Sequence, residues 1–158
     1  MLLGWVDATS AAPLTIFVGF LPGLTSTYLI INAGGDEIKI LAAAGLYLFG
    51  FTYLHVGCNL LANLDGTGQG MFSLLVAAVA TACPVTSFGG GDPAFGVIWL
   101  YWSFLWLLFF LLLGRKQKVV GQYAGAVAAV QGCFTGAIPA FLLQTGHLDS
   151  IAANAFTT

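Results

Sequence analysis

The chain alternates long apolar runs with short polar breaks. Five runs, 13–31, 38–61, 71–88, 93–113 and 119–143, reach the length at which an α-helix crosses a bilayer, about 20 residues for roughly 30 Å of hydrocarbon. The breaks at 32–37, 62–70, 89–92 and 114–118 are short enough to make neighbouring runs antiparallel. Every run contains Gly or Pro, yet none is demoted to a loop. In lipid each backbone N–H and C=O must be bonded within the protein, and adjacent helices absorb a proline kink. Pro22, Pro84 and Pro139 are therefore expected kinks within spans. The pattern predicts an all-α, polytopic membrane helix bundle, with residues 1–158 forming a single domain.

Composition gives the pattern its solvent. Apolar residues make up 59% of the chain and charged residues 6%, whereas a soluble domain carries roughly a quarter charged residues. Most of the surface must therefore face lipid. A net charge of -2 offers no electrostatic case for nucleic acid. Cys58, Cys83 and Cys133 lie in apolar runs without C-x-x-C spacing and read as small buried hydrophobes. No basic segment precedes the first long run, so a cleavable signal peptide is not expected. Arg115, Lys116 and Lys118, three of the four basic residues, share the 114–118 break. The positive-inside rule places that loop in the cytoplasm. The 62–70 break and the N-terminus are then inside as well. Asp36, Glu37, Asp92 and the C-terminal tail with His147 and Asp149 are outside, and Lys39 is a lone basic exception beside two carboxylates.

Within the runs the chemistry is neutral. Apart from Lys39 near an end, the spans hold no Asp, Glu, Lys or Arg. That counts against ion- or proton-coupled transport, which rests on intramembrane charge. No nucleophile–base pair, carboxylate pair or metal cluster stands out, so neither an enzyme nor a cofactor is expected. The fourth run carries Trp99, Trp102 and Trp106 at i, i+3 and i+7, one face of a helix. Trp102 and Trp106 are too deep for interfacial anchors, and their indole N–H groups need partners, which a lumen could supply. In the second run Tyr47, Phe51, His55 and Asn59 recur at i+4. That stripe reads either as a packing face or as the wall of a narrow path. Gln131, Thr135, Tyr53, Tyr101 and Ser103 complete a neutral polar set. An aromatic slot with a few polar tips suits a small, planar, uncharged solute, whereas an ion would lose its hydration without compensation. In the fifth run, Gly121, Gly125 and Ala129, then Gly132, Gly136 and Ala140, form two small-residue rows that read as helix-packing seams.

Four strings carry a family likeness: LYLFGFTYLHVGCN at 46–59, MFSLLV at 71–76, GDPAFGVIWLYWSFLW at 91–106 and VQGCFTGAIPAFLL at 130–143, with a weaker one, LLGWVDATSAAPLTIFVGF, at 2–20. They resemble the AmiS/UreI family of short-chain amide transporters and urea channels. The resemblance implies six-helix channels of the bacterial inner membrane. These assemble as homo-hexameric rings with one pore per protomer and feed urea or small amides to a cytoplasmic urease or amidase. It assigns pore constriction to Phe51, Trp99, Trp102, Leu105 and Trp106. Two further pore-lining positions depart from the family: His55 stands where the family has another aromatic residue, and Gln131 where it has Glu. Gln keeps a carbonyl acceptor and adds an NH2 donor. The family's first helix ends near where this sequence begins, so five spans are expected here, with that helix missing. The expected function is passive conduction of urea or short-chain amides. The alternative is a non-conducting structural or sensory membrane protein derived from such a channel, suggested by His55, Gln131 and the missing helix.

Overall fold

A computed structural model describes residues 3–89 and 93–146. Helix α1 spans Ala8–Ile31, α2 Glu37–Ala62, α3 Thr67–Gly89 and α4 Pro93–Phe109, the last extended by a π-helical turn, Phe110–Gly114. A 3₁₀ turn, Lys118–Val120, leads into α5, Gly121–Gly132; a second π-helical turn, Cys133–Ala137, joins it to α6, Ile138–Gln144. The described residues thus contain five rods long and apolar enough to cross a membrane, the last of them Lys118–Gln144. They match the five apolar runs to within a few residues. Asp92, His147 and Asp149, expected on the outer side, lie outside the described residues.

The start of α3 differs from expectation. Asp65 Oδ1 accepts the Thr67 N–H at 3.0 Å and Oδ2 accepts the Thr67 hydroxyl at 2.8 Å. This side-chain turn begins the helix before the apolar run does. Gln69 and Gly70, placed by pattern in a polar loop, are therefore helical and buried. At α2 the start is conventional: Asp36 Oδ1 accepts from the N–H groups of Ile38 (3.0 Å) and Lys39 (3.1 Å).

The first four rods form two tight antiparallel hairpins, α1 with α2 and α3 with α4. Close backbone approach makes the first. A Cβ on Gly50 would lie 3.1 Å from the Gly19 carbonyl oxygen, and Ser26 Oγ donates across the seam to the Ala43 carbonyl at 2.6 Å. In the second, Gly70 meets the backbone of Gly114 and Ser103 Oγ donates to the Ala77 carbonyl at 2.8 Å. Between the hairpins lies the core, in which Val76, Ala77, Ala80, Trp99 and Trp106 are buried and Leu48 and Phe49 of α2 pack against them. Of the two small-residue rows, Gly125 is buried and Gly121 touches Leu112, but Gly132 and Gly136 face open space in the protomer. The second row is therefore not a seam among the described residues.

The loops before α3 and after α4 meet at one end of the bundle, where Lys116 Nζ lies 3.4 Å from Asp65 Oδ2. The backbone N–H and hydroxyl of Thr67, and then Lys116, hold the Asp65 carboxyl below its usual range. A carboxyl depressed in the folded state contributes stability above its unfolded pKa, about 3.9, and loses it as pH falls through the lower folded value. Hydrogen exchange in 63–70, corrected for intrinsic rates, is expected to be flat from neutral pH to about 5 and to rise below about 4. An Asp65→Asn protein with the same acid limb would refute this.

Candidate functional site

The three tryptophans do come together, around a residue that pattern did not single out. Phe49 of α2 lies edge-on to Trp102 (centroids 4.5 Å apart, 76° between planes) and tilted against Trp106 (4.7 Å) and Trp99 (6.2 Å). Trp99 and Trp102 are themselves edge-to-face at 5.3 Å, and Phe95 stands edge-on to both. Such T-shaped contacts set the positive ring edge against the negative ring face. Trp99 and Trp106 are buried, while Trp102 and Leu105 are half-buried.

Helical period decides which face of α2 does this. Gly45, Phe49 and Thr52 lie on one side, and a Cβ on Gly45 would stand 3.0 Å from the Trp99 ring. Phe51, two residues from Phe49, points roughly 200° round the helix. It stacks on Tyr47 (5.7 Å, 13°) and is 53% exposed, while Tyr47 OH and Thr27 Oγ1 share a 2.8 Å hydrogen bond with α1. The Tyr47–Phe51 part of the stripe therefore belongs to another face than the tryptophans. His55 is half-buried nearer the start of α3, its ring 6.5 Å from Phe72 and beside Gly68. The signal for Phe49 and Thr52 was available: a glycine at i-4 from Phe49 makes room for an indole, and a Thr can bond one.

The Trp102 and Trp106 indoles have hydrogen-bond partners in the protein itself. Trp106 Nε1 donates to Thr52 Oγ1 at 3.2 Å, and Thr52 donates to the Leu48 carbonyl at 2.6 Å. Trp102 Nε1 donates to Thr135 Oγ1 at 2.9 Å, and Thr135 donates to the Gln131 carbonyl at 2.8 Å. Gln131, 2% exposed, donates through Nε2 to the Tyr101 carbonyl at 2.8 Å. Its Oε1 is buried with no hydrogen-bond partner among the described residues. Thr135 sits in the π-helical turn Cys133–Ala137. Pro139 has no N–H to offer the carbonyl four residues back, which is that of Thr135, so the regular ladder is broken there. Sequence thus places a bent, hydroxyl-bearing turn against the aromatic cluster. All charged side chains among the described residues, from Asp7 to Lys118, lie at rod ends or in loops. The site can offer aromatic faces, hydroxyls and an amide carbonyl, and no charge.

A family profile described as AmiS/UreI family transporter matches residues 1–147. The chain is 48% identical over 151 residues to an amidate substrates transporter protein of Mycolicibacterium smegmatis, covering 95% of this chain and 71% of that one. With the acid-activated urea channel of Helicobacter pylori (strain J99) identity is 29% over 173 residues, 90% of this chain and 87% of the channel. The solved closed state of the Helicobacter pylori urea channel superposes with a TM-score of 0.80 at 28% identity, covering 90% of this chain and 86% of that one.

Proposed function

Because the chain belongs to the AmiS/UreI family, we propose that it conducts urea or short-chain aliphatic amides passively across the bacterial inner membrane, through the slot formed by Trp99, Trp102, Leu105 and Trp106. In the same proposal His55 and Gln131 line the path at other points, while Phe51, which the resemblance assigns to the constriction, stacks on Tyr47 on another face of α2 than this slot. The relatives named above are transporters and channels. The observation that carries the reading is the buried side-chain Oε1 of Gln131, left without a partner among the described residues, on the residue whose backbone carbonyl takes the Thr135 hydroxyl and whose Nε2 donates to the Tyr101 carbonyl beside Trp102. A carbonyl oxygen in that position accepts an N–H from a planar amide whose faces rest on the indoles. One carbonyl oxygen cannot replace the hydration shell of an ion. In the same proposal the protomers form a homo-hexamer, loop 114–118 is cytoplasmic, the C-terminus is outside, and a cytoplasmic amidase or urease maintains the gradient. A second reading, a non-conducting membrane protein, draws on the burial of Trp99 and Trp106 and the pairing of the Trp102 and Trp106 indoles to protein hydroxyls.

Uptake of urea and acetamide into proteoliposomes separates the two. Wild type is expected to conduct well above empty liposomes, and Gln131→Glu, which keeps an acceptor oxygen, to conduct as well. Gln131→Leu loses both ends of the amide and is expected to fall by about tenfold. A wild type indistinguishable from empty liposomes leaves the non-conducting reading standing.

A further inference from the structure

A second buried glutamine repeats the surroundings of the first. Residues 69–73 read Gln-Gly-Met-Phe-Ser and residues 131–135 read Gln-Gly-Cys-Phe-Thr. In both, the hydroxyl at the fifth position donates to the glutamine's own backbone carbonyl, Ser73 to Gln69 and Thr135 to Gln131, each at 2.8 Å. In both, the glutamine is almost wholly buried, Gln69 at 1% and Gln131 at 2%. In both, Oε1 is enclosed without a hydrogen-bond partner. Buried polar atoms are normally paired, so an acceptor left unpaired at two equivalent positions calls for a reason. The Nε2 of Gln131 serves the Tyr101 carbonyl, but neither packing nor that bond accounts for the enclosed Oε1 atoms, whose polar cost Leu or Met of the same volume would avoid.

The place of Gln69 suggests one. It is the third residue of α3, beside Gly68, whose Cβ position lies 3.6 Å from His55 Cε1, and before Gly70, which meets the backbone of Gly114. The Lys116–Asp65 pair brings the starts of α3 and of the last rod to the same end of the bundle. Gln69 is near that end. Gln131 is 13 residues beyond Lys118, so it lies deeper by on the order of 15 Å at 1.5 Å per residue. Two carbonyl acceptors are thus spaced along the bundle, one near a mouth and one at the aromatic cluster.

Resting on the channel reading above, we propose that Gln69 is a second solute-binding position on that path. Its Oε1 accepts an N–H from urea or a primary amide near the bundle end marked by Lys116 and Asp65, as Gln131 Oε1 does at the tryptophans. An acceptor at each position requires a donor from the solute, which favours N–H-bearing amides over fully N-alkylated ones.

The test is exchange of labelled urea in proteoliposomes, with half-saturation and maximal rate measured separately and thermal unfolding recorded alongside. Gln69→Met keeps the volume and removes the acceptor. It is expected to raise half-saturation about tenfold with a smaller change in maximal rate. Gln69→Asn, which keeps the amide on a shorter stem, is expected to fall between Met and wild type, and it carries the same readout if the Met variant does not reconstitute. Half-saturation within about twofold of wild type in the variants, with a conducting wild type, overturns this proposal and leaves the channel reading intact; twofold is well below the loss of a hydrogen bond to a buried acceptor. Absence of flux in the wild type overturns the channel reading and this proposal with it.

Discussion

Gly70→Ala is expected to unfold far more readily than wild type in detergent, with a loss of about 3 kcal/mol. A Cβ on Gly70 would overlap the backbone N of Gly114 and stand 2.5 Å from its Cα. Neither obstacle is a side chain that can turn away. To make room, α3 must move off the π-helical turn that ends α4, and the neighbouring Gln69 and Asp65–Lys116 contacts would move with it. Gly132→Ala is the matched control: nothing lies within 4 Å of its Cβ position, and Ala is the better helix former by about 1 kcal/mol. It is expected to be neutral or slightly stabilising. Equal melting temperatures for the two variants would remove the Gly70–Gly114 contact from the account of this fold.

Phe49→Ala is expected to cost about 2–4 kcal/mol, and Phe51→Ala less than about 1 kcal/mol. The rings are the same and two residues apart. Phe49 has Trp99, Trp102 and Trp106 around it, while Phe51 has Tyr47 on one side and is 53% exposed. In a membrane the transfer term is small, because lipid is as apolar as the core; what is lost is packing and ring-edge attraction. That favours the lower half of the range for Phe49. Unfolding of the two proteins in the same detergent checks the contrast. Equal losses would mean that the exposed face of α2 is packed as tightly as the buried one.

The five rods were legible because span length and apolar runs depend on the bilayer and not on tertiary detail. The tryptophan face was legible too, since three indoles at helical spacing share a side wherever the helix sits. What pattern could not supply was the facing of α2. A helix apolar all round has no amphipathic stripe to orient it, and Tyr47–Phe51–His55 was as regular a row as Gly45–Phe49–Thr52. Gln69 was missed for a different reason. Polar residues before an apolar run look like loop, and only the Asp65 turn, which starts α3 early, carries Gln69 into the interior. Gln131 was marked by its family position, but its bond to the Tyr101 carbonyl and the approach of Thr135 to Trp102 depend on how the last rod packs on α4, which pattern does not give.

The two hairpins are not joined as each is joined within itself. Inside α1–α2 and α3–α4, backbones touch at Gly19–Gly50 and Gly70–Gly114. Between them stand ring edges, with the Trp106–Thr52 hydrogen bond and the contacts of Phe49. Moving the ring edges breaks one hydrogen bond and disturbs edge-to-face contacts, whereas interlocked backbones must separate before they can move at all. The α2–α4 seam is therefore held by side chains where each hairpin is held by backbone contact. In the proposed channel, a flat solute passing beside this seam would displace side chains and leave both backbone-locked pairs intact.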